Sequence, residues 1–223
     1  MNLSGTLNAF KLLLNPGLCL PHYTVSTFND IPVPLSRAFT KADIRAVILD
    51  KDNCFAIPHH DDIFPPYRDK FQELRKAYPG SRLLIVSNTA GTHHDRGNAR
   101  ADILEKNTGV QVLRHSIKKP GCGDEIMKIL QKDVDITSPS QIVVIGDRLL
   151  TDTMMANMMG SYGVWVKDGI PAQKGYVSPL RQHSSGANQC SSQTWKLASP
   201  NFFDDTDIIR PIHGAASSDV PQR

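Results

Sequence analysis

The sequence that decides the fold is AVILDKDNC, residues 46–54. Four consecutive apolar residues are typical of a strand that is buried on both faces in a parallel sheet. Asp50 and Asp52 follow where this strand ends, so both carboxylates can face one site. One can act as a nucleophile and the other as a proton donor, while a metal offsets their repulsion. The alternative is a polar turn, since Asp and Asn favour turns.

Further apolar runs extend this pattern along the chain, and amphipathic stretches separate them. The predicted strands are Ala46–Leu49, Leu83–Val86, Val110–Leu113, Ile142–Ile145 and Val164–Val166. The predicted helices are Pro66–Tyr78, Arg96–Lys106, Asp124–Leu130 and Leu149–Met159, the last ended by Gly160. This alternation predicts an α/β fold with a doubly wound, mainly parallel, Rossmann-like sheet. Ligands of such sheets bind beyond the carboxyl ends of the strands.

Polar residues follow three more of the predicted strands. Residues 87–91, SNTAG, offer a hydroxyl and backbone N–H groups to a phosphate, or a helix N-cap. Lys118 and Lys119 precede a predicted helix, where a lysine can neutralise an anion or simply be solvated. Residues 146–152, GDRLLTD, can complete an oxygen-ligand magnesium site or cap a helix. Each signal is weak alone, but all four in this order indicate a phosphate-handling site.

Composition narrows the class of protein. The chain has 223 residues, of which 40% are hydrophobic and 21% charged, as expected for a globular protein. The net charge of +3 is too small to imply nucleic-acid binding by itself. No apolar run is long enough to predict a transmembrane helix. The four cysteines form no CxxC pair, which argues against a zinc ribbon, and we expect reduced thiols.

The order of these motifs resembles the haloacid dehalogenase-type phosphohydrolases from Asp50 to Asp152. The fuller wording, DKDNC, IVSNTAG, KKPGC and GDRLLTD, is similar to the phosphatidylglycerophosphate phosphatases of fungal mitochondria and plants, as is FKLLLNPGLCLPH at residues 10–22. The resemblance implies magnesium-dependent hydrolysis of phosphatidylglycerophosphate to phosphatidylglycerol, a step toward cardiolipin. It also implies a peripheral protein on the matrix face of the mitochondrial inner membrane.

The resemblance assigns three catalytic residues. Asp50 would be the nucleophile, forming an aspartyl-phosphate and ligating Mg²⁺. Asp52 would protonate the leaving alkoxide and then activate water, with its backbone carbonyl on the metal. Lys119 would stabilise the nucleophile and the transferring phosphoryl group. We prefer Lys119 to Lys118 because Pro120, directly after it, fits a helix N1 position.

Binding roles follow from the same resemblance. Ser87 and the backbone at Asn88 would hold the phosphoryl oxygens. Asp147 would be the other carboxylate ligand of the metal, and Asp152 would orient the metal's shell. The residues themselves suggest that Arg148 holds a second phosphate through a bidentate contact, or else forms a surface salt bridge.

We divide the chain into three regions: residues 1–40, a phosphatase core at 41–170, and a polar extension at 171–223. Leu3, Leu7, Phe10 and Leu14 share one helical face, which predicts a segment that either lies in a membrane interface or packs on the core. Only 34 residues separate Asp52 from Ser87. A large cap domain is therefore not expected over the site.

Several alternatives stay open from the sequence. One is a phosphatase of the same fold that acts on a soluble phosphomonoester, and another is a catalytically idle membrane-bound scaffold. Residues 59–62, HHDD, resemble metal ligands but are better explained as a solvated loop that can rim the cleft. The oligomeric state is not encoded in any pattern we find.

Overall fold

The computed structural model describes residue 12 and residues 14–170. The predicted apolar face of the first helix therefore lies outside the described residues, except for Leu14, which is 73% exposed. The predicted extension at 171–223 also lies outside them. The boundaries after residues 40 and 170 stay predictions.

The described residues contain one parallel sheet of six strands. The strands are β1 Tyr23–Val25, β2 Ala46–Leu49, β3 Leu83–Ile85, β4 Gln111–Val112, β5 Ile142–Gly146 and β6 Tyr162–Val166. Their order in the sheet is β1-β6-β5-β2-β3-β4, and every neighbouring pair runs parallel. The predicted α/β class and parallel sheet are confirmed. The strand β1 was not predicted.

The central strand β2 marks the point where the chain changes direction across the sheet. From β2 the chain proceeds outward to β3 and β4, and then returns to β5 on the opposite side of β2. In open α/β sheets, a crevice forms where the strand order reverses, at the carboxyl ends of the strands. The ends of β2 and β5 are therefore the expected place for a ligand.

Four α-helices connect the strands: α1 Arg68–Ala77, α2 Ala99–Thr108, α3 Gly123–Val134 and α4 Met154–Met159. The predicted helix Leu149–Met159 is divided, because Leu149–Thr153 forms a π-helical turn before α4 begins. Gly160 ends α4 in the left-handed region at φ 78°, as expected from its position. The N1 position expected for Pro120 is wrong, since α3 starts only at Gly123.

Apolar side chains fill the space on both faces of the sheet. Phe28, Phe55 and Phe71 lie in one cluster with alternate residues of the strands, and Ile126 and Leu130 of α3 lie in the other. The first cluster also contains six residues from the segment before β2: Val25, Phe28, Ile31, Val33, Leu35 and Phe39. The last part of the predicted N-terminal region thus belongs to the packed core.

The interval between Asp52 and Ser87 contains a loop, two short 3₁₀ turns, α1 and β3, and no further folded domain. Within residues 14–170, the expectation that no large cap covers the site is confirmed. Over the stretch that the structure describes, no helix combines the length and apolar character needed to cross a bilayer.

Candidate active site

The site forms at the carboxyl ends of β2 and β5. Asp50 directly follows β2, and its backbone N–H donates to the carbonyl of Ile145 at 2.9 Å, which fixes it against the adjacent strand. Asp147 directly follows β5. Because parallel neighbours end at the same edge of a sheet, the two aspartates meet there although almost a hundred residues separate them.

Lys119 lies between two carboxylates at this edge. Its Nζ donates to Asp50 Oδ1 at 2.5 Å and to Asp152 Oδ1 at 2.6 Å. Burial opposes its charge, but the charges of Asp152 and Asp50 outweigh burial and raise the pKa of Lys119. Burial raises the pKa of Asp50 to about 6, against the opposing charge of Lys119. Lys118 is exposed by contrast, so the structure brings only Lys119 to the predicted nucleophile.

Asp152 lies in the π-helical turn after β5 and is buried. Its Oδ2 accepts from the backbone N–H of Arg148 and from the Thr151 hydroxyl, both at 3.2 Å. A Cβ at Gly146 would overlap the Asp152 carboxyl group, so the glycine in GDRLLTD permits this close approach. Asp152 therefore binds Lys119 directly, a contact that the sequence did not predict.

Three carboxylates at this edge can share a cation. Asp50, Asp147 and Asp152 each offer one oxygen, and these oxygens lie within 4.8 Å of one another. Asp147 Oδ2 accepts from Asn53 Nδ2 at 3.0 Å, but its Oδ1 is buried without a hydrogen-bond partner. A buried, unpartnered carboxylate oxygen beside two further carboxylates suits a hard divalent cation such as Mg²⁺. The residues present therefore fit the predicted metal.

The side chain of Asp52 lies apart from this carboxylate cluster and forms contacts of its own. Oδ1 accepts from Lys51 Nζ at 2.7 Å and from the His59 N–H at 2.9 Å, and Oδ2 accepts from the Thr89 hydroxyl at 3.1 Å. Burial opposes its ionisation, but these donors, led by Lys51, hold the pKa of Asp52 below its usual value. Only its backbone carbonyl was predicted to contact the metal.

The loop after β3 places Thr89, rather than Ser87, on the cavity wall. Ser87 is fully buried, and its Oγ accepts from the N–H groups of Thr89 at 3.1 Å and Ala90 at 3.3 Å. Its hydroxyl also lies 2.9 Å from Thr89 Oγ1. Because Thr89 donates to Asp52, Ser87 is the donor in this pair. Ser87 thus supports the loop from inside, whereas Thr89 lines the cavity, and the phosphoryl contact of Ser87 stays a prediction.

Asn88 lines the cavity and connects two of the loops. Its Oδ1 accepts from the backbone N–H of Lys119 at 2.9 Å, so the side chain fixes the segment that carries the lysine. Gly91 ends the same loop at φ 74°, where a Cβ would overlap the Leu113 carbonyl. The last residue of SNTAG must therefore be glycine, because the backbone of Leu113 lies too close to Gly91 for a side chain.

The cavity at this edge has a volume of about 270 Å³. All of its lining residues except Pro58 carry a polar side chain: Asp50, Asp52, His59, Asn88, Thr89, Lys119, Arg148 and Thr151. Arg148 is the more exposed of its two cationic liners, with a side chain that is 62% exposed and a Nε 4.0 Å from Asp147 Oδ1. Its guanidinium is therefore accessible to an anion.

The HHDD stretch forms a loop at the cavity rim, and His59 lines the wall. Asp61 pairs with Arg100 at 2.9 and 3.2 Å, and Lys51 Nζ lies 3.4 Å from Asp61. Asp62 accepts from Asn107 at 2.8 Å. Within residues 14–170, these side chains form no metal-ligating group, and they attach the loop to α2.

Sequence reasoning missed three contributors: Thr89, Asn53 and Lys51. Each lies inside a motif that the sequence singled out, but spacing alone gives no direction for a loop side chain. Lys51 is fully buried between Asp52 and Asp61, where only the path of the 51–61 loop brings the three groups together.

Comparison with known proteins identifies the family. The family model for mitochondrial PGP phosphatase, where PGP denotes phosphatidylglycerophosphate, matches residues 3–171. The chain is 52% identical over 182 residues to a mitochondrial phosphatidylglycerophosphatase of Saccharomyces cerevisiae, covering 82% of this chain and 96% of the relative. It is 35% identical to a probable mitochondrial phosphatidylglycerophosphatase of Schizosaccharomyces pombe, covering 76% and 84%.

A plant relative is more distant. The chain is 29% identical to phosphatidylglycerophosphate phosphatase 1 of Arabidopsis thaliana, described as chloroplastic or mitochondrial, and covers 49% of its length. A crystal structure of an uncharacterized protein from Listeria monocytogenes serotype 4b aligns with a TM-score of 0.41 and 15% identity, over 61% of this chain and 88% of that one. That likeness does not bear on function.

The chain belongs to the mitochondrial PGP phosphatase family. The predicted resemblance to this family is confirmed, and with it the class of protein, a phosphatase.

Proposed function

We propose that the protein is a magnesium-dependent phosphatase of the haloacid dehalogenase type that hydrolyses phosphatidylglycerophosphate to phosphatidylglycerol, in cardiolipin biosynthesis. The observation that carries this proposal is the placement of Lys119 between Asp50 and Asp152, with Asp147 beside them at the point where the strand order reverses. Membership of the PGP phosphatase family supports the substrate.

In the first step an oxygen of the Asp50 carboxylate attacks phosphorus, and the bond from phosphorus to the glycerol oxygen breaks. The product is an aspartyl-phosphate and a glycerol alkoxide, which takes a proton from Asp52. Without substrate, the pKa of Asp52 lies below its usual value. The arriving phosphoryl dianion is a like charge, so it raises the pKa of Asp52. Substrate binding thereby favours the protonated form of Asp52, which the first step requires.

In the second step Asp52, now ionised, accepts a proton from water as the water oxygen attacks phosphorus. The bond from phosphorus to Asp50 breaks, and inorganic phosphate leaves. Lys119 keeps its charge throughout, because its raised pKa favours the ammonium form. Its fixed positive charge stabilises both the Asp50 carboxylate and the phosphoryl oxygens during transfer.

Asp50 and Asp147, with the backbone carbonyl of Asp52, are the residues that we propose to hold Mg²⁺. Asp152 adds a carboxylate at the edge of the same cluster. When bound, the ion neutralises charge on the phosphoryl oxygens. Asn88 and Thr89 line the wall on which those oxygens would rest.

The cavity suits a phosphorylated glycerol headgroup. A lipid of this kind carries a phosphomonoester and, one glycerol away, a phosphodiester. We propose that the monoester binds at Asp50 and that Arg148 contacts the diester through its accessible guanidinium. A soluble phosphomonoester lacks that second anion, which separates the proposed function from its closest alternative.

We place the protein in mitochondria, on the matrix face of the inner membrane, as a peripheral protein. The mitochondrial part is supported by the names of the fungal relatives. The membrane part follows from the proposed lipid substrate.

The decisive experiment measures phosphate release from phosphatidylglycerophosphate by the purified chain, with chelator and after magnesium is restored. Glycerol 3-phosphate serves as the soluble comparison. Preferred turnover of the lipid, lost on chelation and recovered with magnesium, supports the proposal. Equal or better turnover of glycerol 3-phosphate favours the soluble substrate, and no turnover of either favours an idle scaffold.

A further inference from the structure

Two exposed apolar side chains lie on loops that also carry cavity-lining residues. Ile117, 52% exposed, lies in the loop after β4, two residues before Lys119. Leu150, 59% exposed, lies in the turn after β5, between the cavity-lining residues Arg148 and Thr151. Both loops extend from the carboxyl edge of the sheet, so these side chains stand on the side where the cavity opens.

Cationic groups accompany these apolar side chains. Lys118 follows Ile117 and is exposed, and Arg148 precedes Leu149 and Leu150. The loops after β3 and β4 meet at this edge, where the backbone N–H of Lys119 donates to Asn88 Oδ1 at 2.9 Å. The carboxylates of Asp50, Asp147 and Asp152 lie inside, buried or half-buried. On the two loops that carry Ile117 and Leu150, the exposed charged side chains are thus positive.

We propose that this docking face, made of Ile117, Lys118, Arg148 and Leu150, binds the surface of an anionic membrane. Ile117 and Leu150 enter the interface between headgroups and acyl chains, and Lys118 and Arg148 contact lipid phosphates. The proposal rests on the proposed function, because it orients the cavity toward the headgroup of a lipid substrate.

The cavity itself indicates a membrane as the occupant. The cavity, of about 270 Å³, has the size of a small headgroup and has room for few methylene groups besides. Two acyl chains contain far more, and they must stay outside the protein while the headgroup reaches Asp50. A bilayer keeps those chains covered if the docking face lies against it. Its cations match the negative surface potential of anionic lipids, and its apolar side chains match the interface.

The test compares vesicles of phosphatidylcholine with vesicles of phosphatidylcholine and phosphatidylserine in equal parts, using the full chain. The variants are Leu150→Glu and Ile117→Glu. Ile103→Glu is the matched control, since Ile103 is 50% exposed but lies on α2. Co-sedimentation reports binding, and turnover is measured on vesicle-embedded phosphatidylglycerophosphate and on a soluble phosphomonoester.

We expect Leu150→Glu and Ile117→Glu each to weaken binding to the anionic vesicles by about tenfold, the effect of losing one buried aliphatic side chain. Turnover in vesicles falls with binding, while turnover of the soluble phosphomonoester is unchanged. Ile103→Glu binds like the wild type. Wild-type binding by both docking-face variants, or an equal loss in Ile103→Glu, overturns the proposal. Failure of the wild type to release phosphate from any substrate would instead contradict the proposed function.

Tryptophan variants give a second measurement that does not depend on loss of binding. Leu150→Trp is expected to show a blue-shifted emission and protection from an aqueous quencher when anionic vesicles are added. Ile103→Trp provides the control and is expected to show neither. An unshifted emission from Leu150→Trp on vesicles that co-sediment the protein would place the contact elsewhere, and the docking face would be wrong.

Discussion

Asp50 is buried at the end of β2 with Lys119 on one of its oxygens, and its chemistry depends on a free carboxylate oxygen. Asp50→Asn keeps the shape of the side chain but removes the proposed nucleophile. We expect turnover to fall by at least about a thousandfold, or ~4 kcal/mol of transition-state stabilisation. Phosphate release from phosphatidylglycerophosphate measures this loss, and thermal unfolding verifies that the variant folds.

Asp43→Asn is the control for this change, because Asp43 is exposed, lies away from the cavity lining and pairs with Arg45 and Gln141. It should retain wild-type turnover. A folded Asp50→Asn enzyme that is nearly as active as Asp43→Asn would remove Asp50 from the nucleophilic role.

Asp52 is predicted to donate a proton to the leaving group, and leaving groups differ in how much they need one. Asp52→Asn should lower turnover of an alkyl phosphate by about 10²- to 10⁴-fold, the usual contribution of general acid catalysis. The first step on p-nitrophenyl phosphate should suffer much less, because nitrophenolate leaves without a proton. Single-turnover rates on both substrates measure the difference. An equal loss on the two would argue that Asp52 serves another purpose.

Thr89 donates its hydroxyl to Asp52 and lines the cavity. In Thr89→Val one hydrogen bond to a charged acceptor is lost, which corresponds to about tenfold in rate. We expect kcat to fall by this factor while KM changes little, since the hydroxyl orients Asp52. Steady-state kinetics on phosphatidylglycerophosphate separate the two constants. A raised KM with unchanged kcat would place the hydroxyl on the substrate.

The contrast between Ser87 and Thr89 shows what a motif can predict at the scale of single residues. The position of this loop was predictable, because the end of an apolar run in the sequence marks the end of a strand. Which hydroxyl of the loop faces the cavity was not predictable, because Ser87 turns inward and accepts two backbone N–H groups of its own loop. Lys119 and Asp152 were both recognised as site residues, yet their contact depends on Gly146 admitting the Asp152 carboxyl group.

At the scale of elements, strands with continuous apolar runs were predicted within two residues at either end. The strand β1 was missed because Tyr23–Val25 is short and carries two exposed residues, so its sequence has no apolar run. The segment is recognised as a strand by its pairing with β6, which its own sequence pattern does not reveal. The start of α4 was placed too early because apolar spacing does not distinguish a π-helical turn from an α-helix.

The start of α2 depends on one acidic side chain. Asp95 accepts backbone N–H groups from Gly91 at 2.9 Å and from Arg100 and Ala101 at 3.0 Å each. Asp95→Ala leaves these donors without their partner, and we expect a loss of about 2 kcal/mol in the free energy of unfolding. Denaturant unfolding at neutral pH measures it. A loss below measurement error would mean that water replaces the carboxylate.

The same contacts predict how this loss depends on pH. Burial opposes ionisation of Asp95, but the three backbone N–H groups outweigh it and lower its pKa in the folded protein. A depressed pKa contributes stability that is present above the unfolded value of about 3.9 and is lost as the pH falls through the folded value. The difference between wild type and Asp95→Ala should therefore shrink in acid.

At the scale of the whole molecule, the topology gathers residues from distant parts of the chain. The order of the sheet places β2 beside β5, and this alone brings Asp50 to Asp147. Strand–helix alternation made that order foreseeable, because doubly wound sheets reverse at a central strand. The size of the cavity and its exposed rim were not foreseeable, since both depend on the paths of four loops.

Mg²⁺ held by the carboxylate cluster, as proposed, would stabilise the entire fold. Burial raises the pKa of Asp147, and the charge of Asp50 adds to this effect, so its ionised form costs stability near neutral pH. Asp147→Asn relieves that cost, and we expect it to unfold at the same or a higher temperature than the wild type without magnesium. Mg²⁺ at about 100 times its Kd should stabilise the wild type by about 2.7 kcal/mol, or roughly 5–10 °C in Tm.

Asp147→Asn should lose most of that magnesium-dependent increase, because the ion loses one of its carboxylates, while Asp43→Asn should retain it. Thermal unfolding with chelator and across a magnesium titration measures all three proteins without reference to activity. A full increase in Asp147→Asn, or none in the wild type, would mean that the three carboxylates do not hold the ion. Lys119 would then be the principal cation that compensates the buried charge at the end of the sheet.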